Sequence, residues 1–247
     1  LVALTGGYRK TPVLQVGADI YCDTALICEV LEHTQPDPVL YPPHLKGVAR
    51  VFAQWADTTL FWASMAYNLQ PKGAEMLFAS LPLAAAQAFV ADRKAMSEGM
   101  VRQRPQDATA AYRSYLWRIA HMAEEHDFLF GAEPCVADFA AYHPLWFTRR
   151  VVPLMDDIFN ATPAVLEWMD RIEALGQGRM EKFTAADAIT VAAGAEPLPL
   201  QGDVFQDEHG IPLGTTVHIA AESFGLEVTE GELIAATRTR YTLRRTD

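Results

Sequence analysis

The chain has 247 residues, 50% hydrophobic and 21% charged, enough for one large or two small domains with a real core. Its 31 acidic and 20 basic residues give a formal net charge of −11. That charge argues against a nucleic-acid or anionic-membrane partner, because phosphate binding takes clustered Lys and Arg.

Three cysteines without a Cys-x-x-Cys spacing, no apolar run of about 18 residues and no visible signal peptide point to a reduced, cytoplasmic protein without a disulfide framework.

In chain order, the first informative stretch is Gly6-Gly7-Tyr8-Arg9-Lys10-Thr11-Pro12-Val13-Leu14-Gln15, then Val16 to Thr24. Val13-Leu14 is a short apolar strand, Gly17-Ala18-Asp19 breaks it, and Ile20-Tyr21-Cys22 resumes it as a hairpin. Asp23 is a good N-cap for the periodic segment Ala25 to Leu31. Pro12 cannot donate to a ladder, so it starts its strand, lies on an edge or sits in a special turn. Residue 11 is pushed toward extended geometry, which leaves its backbone able to pair with an extended ligand. Asp23-Thr24 at a helix N-terminus offers hydroxyl and backbone donors to an anionic group.

This segment resembles the glutathione-binding half of a glutathione S-transferase, a thioredoxin-like domain in which the x-Pro-Val-Leu strand carries a cis proline and an acidic-Ser/Thr pair opens the next helix. The resemblance implies that Thr11, Pro12 and Val13 pair with the cysteinyl part of glutathione. It further implies that Asp23 and Thr24 hold the γ-glutamyl end. Arg9 or Lys10 could meet the glycyl carboxylate by charge.

The family's thiolate-stabilising Tyr, Ser or Cys falls before Thr11, in a β-α-β unit that this sequence does not show. The chain opens at Leu1-Val2-Ala3-Leu4 without a methionine, so the expectation is an incomplete chain and an unassigned catalytic residue.

Gln35-Pro36-Asp37-Pro38 and Tyr41-Pro42-Pro43 form a proline-rich linker. From Gly47, apolar residues at spacings of three and four (Val48, Val51, Phe52, Trp55, Trp62, Met65) predict a long helix stopped by Pro71. Further helices are expected over Leu83 to Met100 and from an Asp107 N-cap through Tyr112, Tyr115 and Met122.

Gly131-Ala132-Glu133-Pro134-Cys135-Val136-Ala137-Asp138-Phe139 has capping-box spacing and resembles the same family's Gly-x-x-Pro-Ser-x-Ala-Asp-Phe signature. Cys135 replaces the Ser/Thr, and a thiol is the weaker acceptor, so a poorer cap is expected and Asp138 reads as structural. Thr162-Pro163 to Leu175-Gly176 carries N-cap, N1 proline and terminal glycine signals. In the family, these helices border the co-substrate pocket, which makes Trp55, Trp62, Tyr112 and Tyr115 its candidate wall.

From Ala195 the pattern changes to alternating runs at Thr216–Ala220, Glu232–Thr237 and Arg240–Arg244, a small β-rich appendage of unread function. Cys22, Cys28 and the pair His143-Pro144 read as core, with a kink at the proline. His121 and His126 are five apart, not at metal-pair spacing, so no metal is expected. No P-loop, Rossmann fingerprint or Gly-x-Ser-x-Gly is present.

The expected architecture is therefore α/β plus all-α: a partial thioredoxin-like domain over 1–34, a helical bundle domain over 44–190, and a β-rich module over 196–247. The resemblance implies a cytoplasmic homodimer that joins the glutathione thiolate to a small hydrophobic electrophile. A glutathione-dependent thiol reductase or isomerase, or a non-catalytic binding scaffold, are the alternatives.

Overall fold

A computed structural model describes residues 2–200 and 204–245. Leu1, 201–203 and 246–247 lie outside the described residues, so the expected 1–34 and 196–247 segments are described in part. By contacts the chain divides into two units. One comprises Leu1–Leu31, Ala91–Met100 and Glu181–Asp247, and the other Glu32–Val90 and Val101–Met180. The N-terminal hairpin and the C-terminal β-rich segment, expected as separate modules, fall in the same unit.

In the first unit a one-turn helix α1 (Val2–Thr5) precedes strands β1 (Val13–Val16) and β2 (Asp19–Cys22), followed by helix α2 (Thr24–Thr34), whose residues from Glu32 onward belong to the second. The strands pair antiparallel from Val13↔Cys22 to Val16↔Asp19. The loop is two residues, and Gly17 at φ +60° supplies the left-handed conformation that such a turn requires. Late in the chain come α10 (Ala185–Ala193), capped by Thr184 with Asp187, and strands β3 (Thr216–Ile219), β4 (Thr229–Ala236) and β5 (Tyr241–Arg244). These three strands form an antiparallel meander in the order β3-β4-β5, with an irregularity between Leu233 and Ala235.

The second unit is helical. The long predicted helix runs as α3 (Lys46–Trp55), a π-helical segment Ala56–Leu60 and α4 (Phe61–Asn68). Pro71 begins the next helix, α5 (Pro71–Phe78), at a position where its missing N–H costs nothing. Helix α6 (Leu83–Met96) begins in this unit, and its residues from Ala91 onward belong to the first. Helix α7 (Pro105–Glu125) starts at Pro105 with Arg104 as N-cap, so Asp107 sits in the first turn instead of capping it.

Helix α8 (Val136–Trp146) passes through Pro144 into a π-helical segment, Phe147–Val151, and α9 (Pro163–Ala174) follows with Gly176 just beyond it. The Thr162 hydroxyl turns back to the Phe159 carbonyl and does not cap α9. The core gathers Leu60, Tyr112, Leu116, Leu145, Phe159 and Trp168, each 0–1% exposed. Burying a side chain of this size contributes about 1.5–3 kcal/mol before entropy is counted.

Candidate functional site

The hairpin register decides which residues meet. With Val13 opposite Cys22, the ladder leads directly to Pro12 and Thr11 on one strand and Asp23 and Thr24 on the other. All four are exposed, and Val13 is half-buried. The Thr11–Pro12 peptide is cis, the geometry that the resemblance implies. Asp23 has φ +82°, a left-handed conformation that a short acidic side chain tolerates. Its Oδ1 accepts from the Ala25 N–H at 2.9 Å and its carbonyl from the Ile27 N–H at 2.9 Å, so it caps α2. Thr24 is the first helical residue, at the positive end of the helix dipole.

Tyr8 lies beside this corner. Burial and the Asp23 charge push its phenol up to about 12. Burial, with Asp23 second, also raises the Cys22 thiol, which is half-buried instead of core. Cys28 is half-buried as well. Neither Tyr8 nor Cys22 is in a setting that favours its anion.

Arg9 and Lys10 differ. Arg9 Nη1 pairs with Glu227 Oε1 at 2.7 Å, and Nη2 pairs with Asp92 Oδ1 at 2.7 Å, so its guanidinium is already held by two carboxylates. Hydrogen bonding to Arg9 keeps the Glu227 carboxyl below its ordinary value. Lys10 Nζ lies 5.5 Å over the Tyr8 ring.

The second unit separates the four pocket candidates. Trp55 and Tyr115 are half-buried and meet edge to face with centroids 5.2 Å apart, while Phe52 bridges Trp55 and Phe130. Trp62, also half-buried, packs edge-on against Phe61. Tyr112 is 0% exposed, with its hydroxyl 2.9 Å from Thr148 Oγ1, and so belongs to the core, not to a pocket wall. His143 is exposed, not core, although Pro144 beside it is buried. The His121 ring lies 4.1 Å from that of Trp117 with the planes tilted by 54°, and His126 is exposed. Among the described residues no group of three or more His, Cys, Asp or Glu is placed to hold a metal ion.

Asp138 is the hub of the second signature. It is 0% exposed; Oδ2 accepts from the Cys135 N–H, and Oδ1 accepts from both Leu129 N–H and Trp168 Nε1–H. The Cys135 capping box forms despite the thiol, and burial pushes that thiol up to about 11.

Cavities among the described residues are lined by other side chains. One of about 270 Å³ is lined by Phe205, His209, Val217, Leu233 and Tyr241. Another of about 340 Å³ is lined by Glu124, Glu125, His126, Asp127 and Arg171. No described helix is long and apolar enough to cross a membrane.

Sequence reasoning missed Asp92 and Glu227, the partners of Arg9, which stand 83 and 218 residues away from it in the chain. No local pattern signals them.

Along its whole length the chain is similar to a solved GST-like protein from Pseudomonas syringae, with 34% identity and a TM-score of 0.79, and it covers 77% of that protein. It shares its fold with the beta-etherase LigF from Sphingobium sp. strain SYK-6. There the identity is 20% and the TM-score 0.50, over 67% of this chain and 74% of that one. No protein-family profile and no curated protein sequence matches the chain.

Proposed function

The chain belongs to the glutathione S-transferase-like family, and from that premise we propose that it joins the glutathione thiolate to a small hydrophobic electrophile. The observation that carries this reading is the hairpin register, which leads Thr11-Pro12 and Asp23-Thr24 to one exposed corner at the start of α2. The chemistry there suits a peptide with a zwitterionic end. The Asp23 carboxylate complements the γ-glutamyl ammonium, and the Thr24 hydroxyl with the first-turn N–H groups complements its carboxylate. The Thr11 backbone, followed by Pro12 and Val13, pairs with the cysteinyl unit as a strand would. Lys10 is the better placed of the two cations for the glycyl carboxylate, because Arg9 is engaged elsewhere.

In the reaction the thiol loses its proton to solvent. Its sulfur forms a bond to the electrophilic carbon, and the leaving group departs with the electron pair. The residue that stabilises the thiolate is not assigned. Trp55, Trp62 and Tyr115 are the proposed apolar wall for the co-substrate, and the protein works as a cytoplasmic homodimer without a metal.

Calorimetric titration of the full-length protein with glutathione tests the reading. Wild-type binding that weakens roughly tenfold or more in Asp23→Ala supports it. A wild type that takes up no glutathione overturns it.

A further inference from the structure

The C-terminal segment touches the N-terminal hairpin region at several places. Arg245 Nη1 donates to the Leu4 carbonyl at 3.1 Å, and Thr229 Oγ1 donates to the Thr5 carbonyl at 3.2 Å. Gly7, at φ +141°, lies so close to the module that a Cβ there would stand 2.2 Å from the Val228 carbonyl oxygen. At the hairpin itself, Gln15 Nε2 donates to the Ala188 carbonyl at 2.8 Å, and Asp19 Oδ2 accepts from the Leu198 N–H at 2.9 Å. Glu227 of this segment and Asp92 of helix α6 both pair with Arg9, with Asp92 accepting at both oxygens, 2.7 and 2.9 Å. The three side chains are 28–39% exposed, so the network is only partly in water.

The geometry points to a role for this segment: together with Asp92 of helix α6 it is the frame that positions the Thr11–Pro12 edge, and Arg9 is the positioning residue through which Glu227 and Asp92 act. Arg9 lies two residues before Thr11. A guanidinium with two charge-assisted carboxylate partners holds its backbone far more firmly than one solvated pair does. Thr11 offers its main chain to the ligand, so its placement depends on the segment immediately before it. The frame deepens the glutathione reading and rests on it for its ligand.

The test uses the full-length protein as wild type, Glu227→Ala, Glu227→Gln, Arg9→Ala and the Arg9→Ala/Glu227→Ala double variant. Amide exchange in peptides spanning residues 4–16 is followed against helix α7 as an internal reference, with glutathione titration alongside. Glu227→Ala and Arg9→Ala should each speed hairpin exchange roughly tenfold and leave α7 unchanged. The double variant should be no faster than Arg9→Ala, because both changes cut the same link. Glutathione affinity should weaken roughly threefold or more in Glu227→Ala, with the same non-additivity. Glu227→Gln keeps the shape and the acceptor without the charge, and should fall between wild type and Glu227→Ala. It also decides the question if the alanine variant does not fold.

Unchanged hairpin exchange in Glu227→Ala and Glu227→Gln would overturn the frame. So would an equal acceleration by Glu227→Ala in the Arg9→Ala background. A wild type that ignores glutathione refutes the ligand assignment, and the exchange arm still decides the frame.

Discussion

The Trp168 indole N–H donates to Asp138 Oδ1 at 3.0 Å, and both side chains are fully buried. The same carboxylate receives the Leu129 and Cys135 N–H groups, so one charge satisfies three buried donors from three parts of the helical unit. Asp138→Ala leaves all three unpaired and should cost about 3 kcal/mol or more. Urea unfolding measures this, and a loss under about 1 kcal/mol would show that water replaces the carboxylate.

Cys135 holds a cap position where a hydroxyl is the better acceptor. Cys135→Ser should stabilise the protein by about 0.5–1 kcal/mol in the same assay. A loss of stability would mean that burial of the sulfur outweighs the weak cap.

Alkaline pH should reveal the buried Cys135 thiol and the half-buried Tyr8 phenol. The Cys135 thiol is raised from 9.0 to about 11 and Tyr8 from 10.0 to about 12. In each case folding favours the protonated form, so the stability it confers is full below the unfolded value. It is lost as pH climbs through 9 to 11 for the thiol and 10 to 12 for the phenol. Melting temperatures measured across that range should fall, and the fall between pH 9 and 11 should be shallower in Cys135→Ala. Identical profiles would remove Cys135 as a contributor.

Asp23 is both a helix cap and the proposed ammonium contact, and two substitutions separate these. Asp23→Ala should cost about 1 kcal/mol of stability, while Asp23→Ser retains an N-cap acceptor and should cost less than half of that. Both should lose glutathione affinity alike. Wild-type affinity in Asp23→Ser would show that the carboxylate makes no contact with the ligand.

Gly7 combines a positive φ with a carbonyl oxygen where a side chain would go. Gly7→Ala should therefore destabilise the hairpin unit by about 2–3 kcal/mol, read by thermal unfolding. A neutral outcome would mean that the 228–229 backbone moves aside freely.

What could be read from the sequence was what local chemistry determines. The Gly17 turn, the Asp23 cap, the Cys135–Asp138 box and the Pro163 start all depend on neighbours a few residues away. At Pro105 the signal was present, but the acidic residue two positions later drew the helix start to itself. Tyr112 and Tyr115 lie three apart on one helix, and periodicity treats them alike; packing from distant segments, including Tyr67 and Thr148 against Tyr112, separates the buried ring from the half-buried one. Helix α8 is apolar almost all round, so its pattern could not tell that His143 faces outward. The partners of Arg9 were hidden for a simpler reason: ion pairs between distant residues leave no spacing to read.

The Arg245–Leu4 hydrogen bond spans 241 residues, and the Arg9–Glu227 bond spans 218. Closing loops of that length costs more entropy than closing the spans of 80 and 88 residues that Asn68–Thr148 and Tyr67–Met155 bridge in the helical unit. During synthesis the hairpin leaves the ribosome well before β4 and β5 do. The proposed ligand corner is thus synthesised early, while its C-terminal contacts can form only late, so a nascent chain can fold its helices before residues 4–9 gain those contacts.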